Sequence, residues 1–314
     1  MAQAAENLPN PQKHCGVQCR RISKGDRRYL WISRIVIWIA IAFMIYPVLW
    51  IVMSSFSKGD SFFLSSLFPK HFSTENYRKL FTETDFTKWI LNSLLLCVSV
   101  SAIQLVLTCT SAYAFSRMRF PGRKYGLMSL LILQVFPSSM ALAAYYIIIY
   151  KYNLMDNFLV LILILAGGSA YNIWLMKSYI DGLPRELDEA AFVDGAGHWT
   201  VFTKIILPLA LPMLVVIFLF SFIGTYSEFM ISSIVLQSPE NYTLALGLQT
   251  FINNQFSAHW TLFSAASVLS SLPIMIIFML LQKYIQSGLA AGAVKGSFCS
   301  LAGRGSSRSS GRWG

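Results

Sequence analysis

Charge is what this sequence has least of. Only 12% of its 314 residues are Asp, Glu, Lys or Arg, against 55% hydrophobic, and its mean hydropathy is +0.55. That balance excludes an ordinary soluble domain and fits an integral membrane protein. Acids are scarcer than bases, 14 against 25, which leaves a net charge of +11. The bases lie in short segments beside apolar runs, as orientation signals do, and not on one polar face that would suit nucleic acid. No G-x-x-x-x-G-K-[ST] occurs, and no lysine follows the Gly167–Gly168 pair, so the chain lacks the loop that cradles ATP phosphates. Also missing are H-E-x-x-H, paired C-x-x-C and G-x-S-x-G, and the four histidines (His14, His71, His198, His259) are scattered. Of five cysteines, Cys97 and Cys109 sit in an apolar run as small hydrophobes; Cys15, Cys19 and Cys299 make neither a zinc site nor a disulfide framework. Ionisable residues are missing from the middles of the apolar runs too. Arg34, Lys177 and Lys283 fall at inner ends and Glu228 near an outer end, which disfavours a proton- or sodium-coupled carrier.

What the sequence does contain is apolar runs of about 20 residues or more, the length needed to cross a bilayer. Six are predicted, at 31–53, 90–116, 126–150, 157–180, 205–231 and 260–286. Trp31, Trp50, Trp89, Tyr150, Tyr152, Trp260 and Tyr284 mark their ends as interfacial belts do. Segment 1–28 and the 117–124 loop (Arg117, Arg119, Arg123, Lys124) are basic and nearly free of acid, so both are expected in the cytoplasm. The expectation is an all-α, six-transmembrane-helix protein with N and C termini cytoplasmic. Its first span is uncleaved, being too long for a signal-peptide core. Pro47, Pro137, Pro208, Pro212 and Pro273 lie in the spans and permit bends. Outside, 73–81 is expected to form a short helix, and 237–259 carries amides and aromatics suited either to a sugar or to plain packing.

The cytoplasmic stretch 183–212, LPRELDEAAFVDGAGHWTVFTKIILPLALP, places an acidic helix, a glycine turn and a second helix ahead of a span. Pro184 suits a first turn, and Glu186, Asp188 and Glu189 lie where the helix dipole favours anions. Ala190 and Ala191 permit close approach, and Phe192, Trp199 and Phe202 offer apolar contact to a partner. Read as chemistry alone, the loop serves a transport subunit, or a membrane scaffold recruiting a cytosolic partner, or less readily an autonomous carrier.

Glu189, Ala190, Ala191, Gly195, Ile205, Leu207 and Pro208 fill every fixed position of E-A-A-x3-G-x9-I-x-L-P. The chain thereby resembles the permease subunits of bacterial ATP-binding-cassette importers. AYAFSRMRFPGR at 112–123, QVFP at 134–137, YTLALGLQTF at 242–251 and GLAAGAVKG ending at Gly296 resemble the carbohydrate branch, nearest the smaller permease of maltose/maltodextrin systems. The resemblance implies a type I permease domain at 29–296 with a coupling loop at 181–204. It implies that the helix at Glu189 to Asp194 docks on a separate ATPase dimer, which holds the ATP and magnesium, so that the chain itself is not an enzyme and binds no cofactor or metal directly. It further implies a second permease subunit, an extracytoplasmic sugar-binding protein probed by Gln249, Phe251, Asn253, Asn254 and Gln255, and a C-terminal ATPase contact at Ala293, Val294, Lys295 and Gly296. The substrate would be an oligosaccharide and the setting the lipid of a bacterial cytoplasmic membrane. The Gly/Ser/Arg stretch 297–314 departs from the family's usual end and is expected to be a disordered tail, native or appended.

Overall fold

The computed structural model describes residues 24–58, 72–135, 137–253 and 259–302. The chain falls into two compact units, 1–50 and 51–314, each described by itself. Helix α1 (Lys24–Ser55) supplies all the described structure of the first unit and continues into the second. Its Leu30–Ser55 portion has a mean hydropathy of 2.6, and Pro47 does not interrupt it.

The second unit is built around α3 (Phe86–Arg117). Its buried residues Trp89, Ser93, Leu96, Val100, Gln104 and Thr108 recur every three or four positions, one stripe of an α-helix. The opposite face, with Leu91, Leu95, Val98 and Val106, is exposed and apolar, which suits lipid. The short helix expected near residue 73 is α2 (Glu75–Thr82). Its start is not the capping box that Ser73 and Asn76 suggested: Asn76 is buried and donates to the carbonyls of Ser55 and Ser57, at 2.9 Å each.

Three of the six predicted spans are not single rods. The third is α4 (Arg123–Val135) and α5 (Ser138–Lys151), separated at Pro137. The fourth is α6 (Phe158–Ala166) and α7 (Ala170–Asp181), bent by 44° at the Gly167–Ser169 break. The fifth is preceded by α8 (Glu186–Val193); then α9 (His198–Val201), a π turn (Phe202–Ile206) and α10 (Leu207–Leu209) form one rod, bent by 79° at Ala210 from α11 (Leu211–Tyr226). The π turn has a cause in Pro208, whose ring would strike the Lys204 carbonyl in a regular α-helix; a wider turn makes room for it. Helices α12 (Met230–Val235) and α13 (Leu244–Thr250) follow, then α14 (Trp260–Ala302) with Pro273 inside it. Three helices are long and apolar enough to cross a membrane, or up to six spans if each bent pair is one.

α3 packs against α11, α7, α6 and α13, and α11 packs in turn on α14. One buried cluster joins Cys109, Ala112 and Tyr113 of α3 to Met176, Ile180, Val201, Phe202 and Ile206. A second joins Phe86, Trp89 and Cys97 to Phe222, Leu244 and Phe251 near the other end of α3.

Candidate functional site

The acidic loop is mounted on the last turn of α3. Arg117 Nε lies 2.6 Å from Asp188 Oδ2, and both side chains are only 6% exposed. Arg117 Nη2 also donates to the Leu183 carbonyl at 3.0 Å. Next to it, Ser116 Oγ donates to Asp181 Oδ1 at 2.6 Å, and Lys177 pairs with the other oxygen of that carboxylate. Arg123 closes the end of α3 by donating to the carbonyls of Phe115 and Ser116, at 2.8 Å each, which have no partner within the helix. The ion contact between Arg117 and Asp188 is off the line of a hydrogen bond, so Nη1 and Oδ1 have no hydrogen-bond partner among the described residues. Burial, the largest influence, lifts the Asp188 carboxyl above its ordinary range, against the pull of Arg117.

Gly195 then ends α8 with φ +83, in the left-handed region that a side chain disfavours. The Gly195 N–H donates to Phe192 O at 3.1 Å and the Ala196 N–H to Ala191 O at 2.9 Å, the two bonds of a Schellman motif. Ala191 and Ala196 pack together against the buried cluster beneath, which gives the turn its apolar contact. Beyond it, Tyr113 Oη lies 3.2 Å from His198 Nδ1, the His198 ring is 4.9 Å from Phe192, and Tyr113 is 5.1 Å from Phe202.

The outward side of this element carries Glu189, Ala190, Asp194 and Pro208, all exposed. Val193 and Trp199 stand out at 88% and 70% exposure. Ala191 and Leu207 face inward instead, and Phe202, expected on the docking face, is buried against Tyr113. Arg117 and Arg123, read from sequence as orientation charges, are structural ties. The signal for them lay in the 112–123 motif, whose Tyr113, Phe115, Ser116, Arg117 and Arg123 all contribute to the mounting.

At the other end of α3, Trp89 Nε1 donates to Pro239 O at 3.1 Å, and Asn92 Nδ2 to Glu240 O at 2.9 Å and Tyr242 O at 3.2 Å. Asp156 accepts from the Gln237 and Ser238 N–H groups at 3.1 Å each and from Asn241 Nδ2 at 2.9 Å.

A family model described as "Binding-protein-dependent transport system inner membrane component" matches residues 25–291. The chain belongs to this family. Maltodextrin transport system permease protein MdxG of Bacillus subtilis is 40% identical over 254 residues, covering 81% of this chain and 91% of that protein. GanQ of the same organism, a galactooligosaccharides transport system permease protein, is 39% identical over 278 residues, covering 86% and 98%. The maltose/maltodextrin permease MalG of Escherichia coli strain K12 is 36% identical over 293 residues, covering 87% and 98%. The fold is that of a chain in the crystal structure of a bacterial ABC transporter importing alginate, with a TM-score of 0.71 at 24% identity over 83% of this chain and 98% of that one.

In this transport component, then, the E-A-A stretch is a mounted helix with an exposed acidic and apolar face. The expected outer probe is only partly described. Gln249 is half-buried, Asn253 is exposed, and Phe251 is buried with its ring 5.8 Å from Trp89. Asn254 and Gln255 lie outside the described residues. So do the side chains of Ala293, Val294, Lys295 and Gly296, whose backbone belongs to α14. Positions 1–23 and 303–314, covering most of the N-terminal segment and of the tail, are outside them as well.

Proposed function

We propose that this chain is one half of the membrane pathway of an oligosaccharide importer, and that its 181–204 loop couples the pathway to a separate ATPase dimer. The observation that carries this reading is the contrast between the two sides of α8. One side is fastened to α3 by a buried ion pair; the other presents Glu189, Asp194, Val193 and Trp199 to the surroundings. An exposed apolar patch with acids on a rigid mount is a docking face, and charge-assisted bonds from a basic partner would complete it. Motion of the docked partner would pass through Leu207 and Pro208 into α11 as a rigid-body displacement.

The relatives named as maltodextrin and galactooligosaccharide permeases support an oligosaccharide cargo. The remaining parts of the machine follow from the same reading: a second permease subunit, an extracytoplasmic binding protein met through the outer loops, and ATP with magnesium held by the ATPase and not by this chain. Six crossings, each bent pair counting once, put both termini in the cytoplasm, and the setting is the bacterial cytoplasmic membrane.

Two variants test the coupling role. Glu189→Trp removes the charge and obstructs close approach; Gly195→Val forces a branched side chain into a positive-φ turn. Each is expected to lower uptake of the transported sugar at least tenfold and to uncouple ATP hydrolysis, while the chain still inserts in the membrane. Wild-type uptake by both would overturn the role.

A further inference from the structure

The fourth predicted span breaks at Gly167–Ser169, and a broken span is tolerated at membrane depth only where its backbone is buried in protein or lines a wet cavity. Both conditions are met here. Gln104 of α3 donates through Nε2 to Leu165 O at 2.8 Å, capturing a carbonyl from the last turn of α6 that has no partner in the helix. Asn172 in the first turn of α7 donates to Ser221 Oγ of α11 at 3.1 Å. Beside these bonds lies a cavity of about 980 Å³, at the upper end of the usual size of small-molecule sites.

Its lining is unusual for the inside of an apolar bundle. Gln104, Gln134, Tyr145, Tyr171, Asn172 and Thr225 contribute amides, hydroxyls and aromatic rings, and the Gly167–Gly168 backbone forms part of the wall. The amide oxygens of Gln104 and Asn172 accept no hydrogen bond from the described residues, so both remain as acceptors after the structural bonds are made. The Ser169 side chain does not cap α7, and the helix's first N–H groups add donors at the same break. Donors, acceptors and ring faces in one cavity match a polyol, whose hydroxyls both give and accept bonds and whose C–H faces stack on aromatics.

The charge of the lining is as informative. No Lys or Arg borders the cavity, and its single ionisable carboxylate is Glu228, held by the Ile231 and Ser232 N–H groups at 2.6 and 3.0 Å. An anion entering this site would meet a carboxylate and no counter-charge. We propose that the cavity is a saccharide subsite contributed by this chain, and that it admits neutral oligosaccharides and rejects acidic ones. The proposal rests on the oligosaccharide-importer reading and adds to it a site and a substrate class.

The test uses the intact transporter in cells that produce its native partners, with uptake of maltotetraose and of β-1,4-galactotetraose measured first. Tyr171 is half exposed on the cavity wall and tolerates replacement without disturbing either structural amide bond. In a Tyr171→Cys variant, the neutral tetrasaccharide that the cells import should slow modification of the introduced thiol at least fivefold, read by mass spectrometry, and tetragalacturonate should not. Tyr171→Ala and Gln134→Leu should each lower the maximal uptake rate at least tenfold with chain level unchanged. Uptake at the wild-type rate in both variants, or equal protection by the acidic sugar, would overturn the subsite and leave the importer reading standing. Absence of any neutral-sugar uptake by wild-type cells would overturn both, and the first measurement separates that outcome from the others.

Discussion

Arg117 shows how one side chain changes meaning between sequence and structure. In the sequence it is one of four bases in a short loop, and charge asymmetry is all that can be read from it. Its burial against Asp188, 71 positions away, depends on a packing arrangement that no local pattern encodes. Removing one partner of such a pair strands the other, typically at about 3–5 kcal/mol, whereas replacing both with apolar residues is often neutral. Arg117→Ala is therefore expected to loosen residues 183–197, seen as faster amide exchange there, and the pair Arg117→Met with Asp188→Leu to restore most of the protection. Asp188 and Asp156 also respond to acid with opposite signs. The Asp188 carboxyl is raised by burial, so its contribution to stability is full below the unfolded value and is lost as pH rises through the raised one. For Asp156, burial pushes upward but is outweighed by bonds from Ser238, Gln237 and Asn241, and the carboxyl is held below its ordinary range. Its contribution is present above the unfolded value and is lost only as pH falls through the depressed one. Amide protection at Gln237 and Ser238 should persist through the ordinary carboxylate range and disappear below it. Asp156→Asn should abolish that pH dependence, and protection lost already near the ordinary carboxylate value in the wild type would contradict the assignment.

Among the helices, existence was legible and continuity was not. Hydropathy located every long apolar run, because burial in lipid needs only composition and length. The same signal passed over Gly167–Ser169 and Ala210, since glycine, serine and alanine are ordinary inside membrane helices and a break declares itself only through remote partners such as Gln104. The acidic helix and its glycine turn were legible for the opposite reason: cap, dipole and stop signals are local. Its mounting, again, was not. Packing between α3 and α13 gives a sharp case of a contact that spacing does not reveal. A Cβ on Gly247 would come within 2.3 Å of the Trp89 ring, so no side chain fits while both helices hold their places. Gly247→Ala should push α13 off α3 and weaken both the Trp89 bond to Pro239 and the ring contact with Phe251. Overpacking of this kind costs about 1–3 kcal/mol. The expected readout is a lower unfolding temperature in membrane vesicles with a shifted tryptophan emission, while residues 183–197 keep wild-type exchange. An unchanged melting profile would show that α13 is not held as described.

The loops of the 51–314 unit sort into two groups by their bonds alone. Arg117 and its neighbours tie 115–117 to 181–188, while Trp89, Asn92 and Asp156 tie the other end of α3 and the 152–157 turn to 237–242. The 32 residues of α3 between the two groups span about 48 Å at 1.5 Å per residue, more than the roughly 30 Å hydrocarbon thickness of a bilayer. The two groups therefore belong on opposite sides of the membrane. Charge agrees: the first holds Arg119, Arg123 and Lys124, and 237–259 has no Lys or Arg at all. This partition has a consequence for the bent pairs. α6 with α7 runs from the 152–157 turn to the 182–197 loop, which lie in different groups, so the pair must cross once despite its bend; a re-entrant hairpin would return both ends to one side. Four exposed positions test it through single introduced thiols and a membrane-impermeant maleimide. Tyr152→Cys and Glu240→Cys should label from outside intact cells. Arg119→Cys and Trp199→Cys should label only after the membrane is opened. Labelling of the 152 and 199 positions from the same side would make α6 and α7 a re-entrant pair, and with that the count of six crossings would fail.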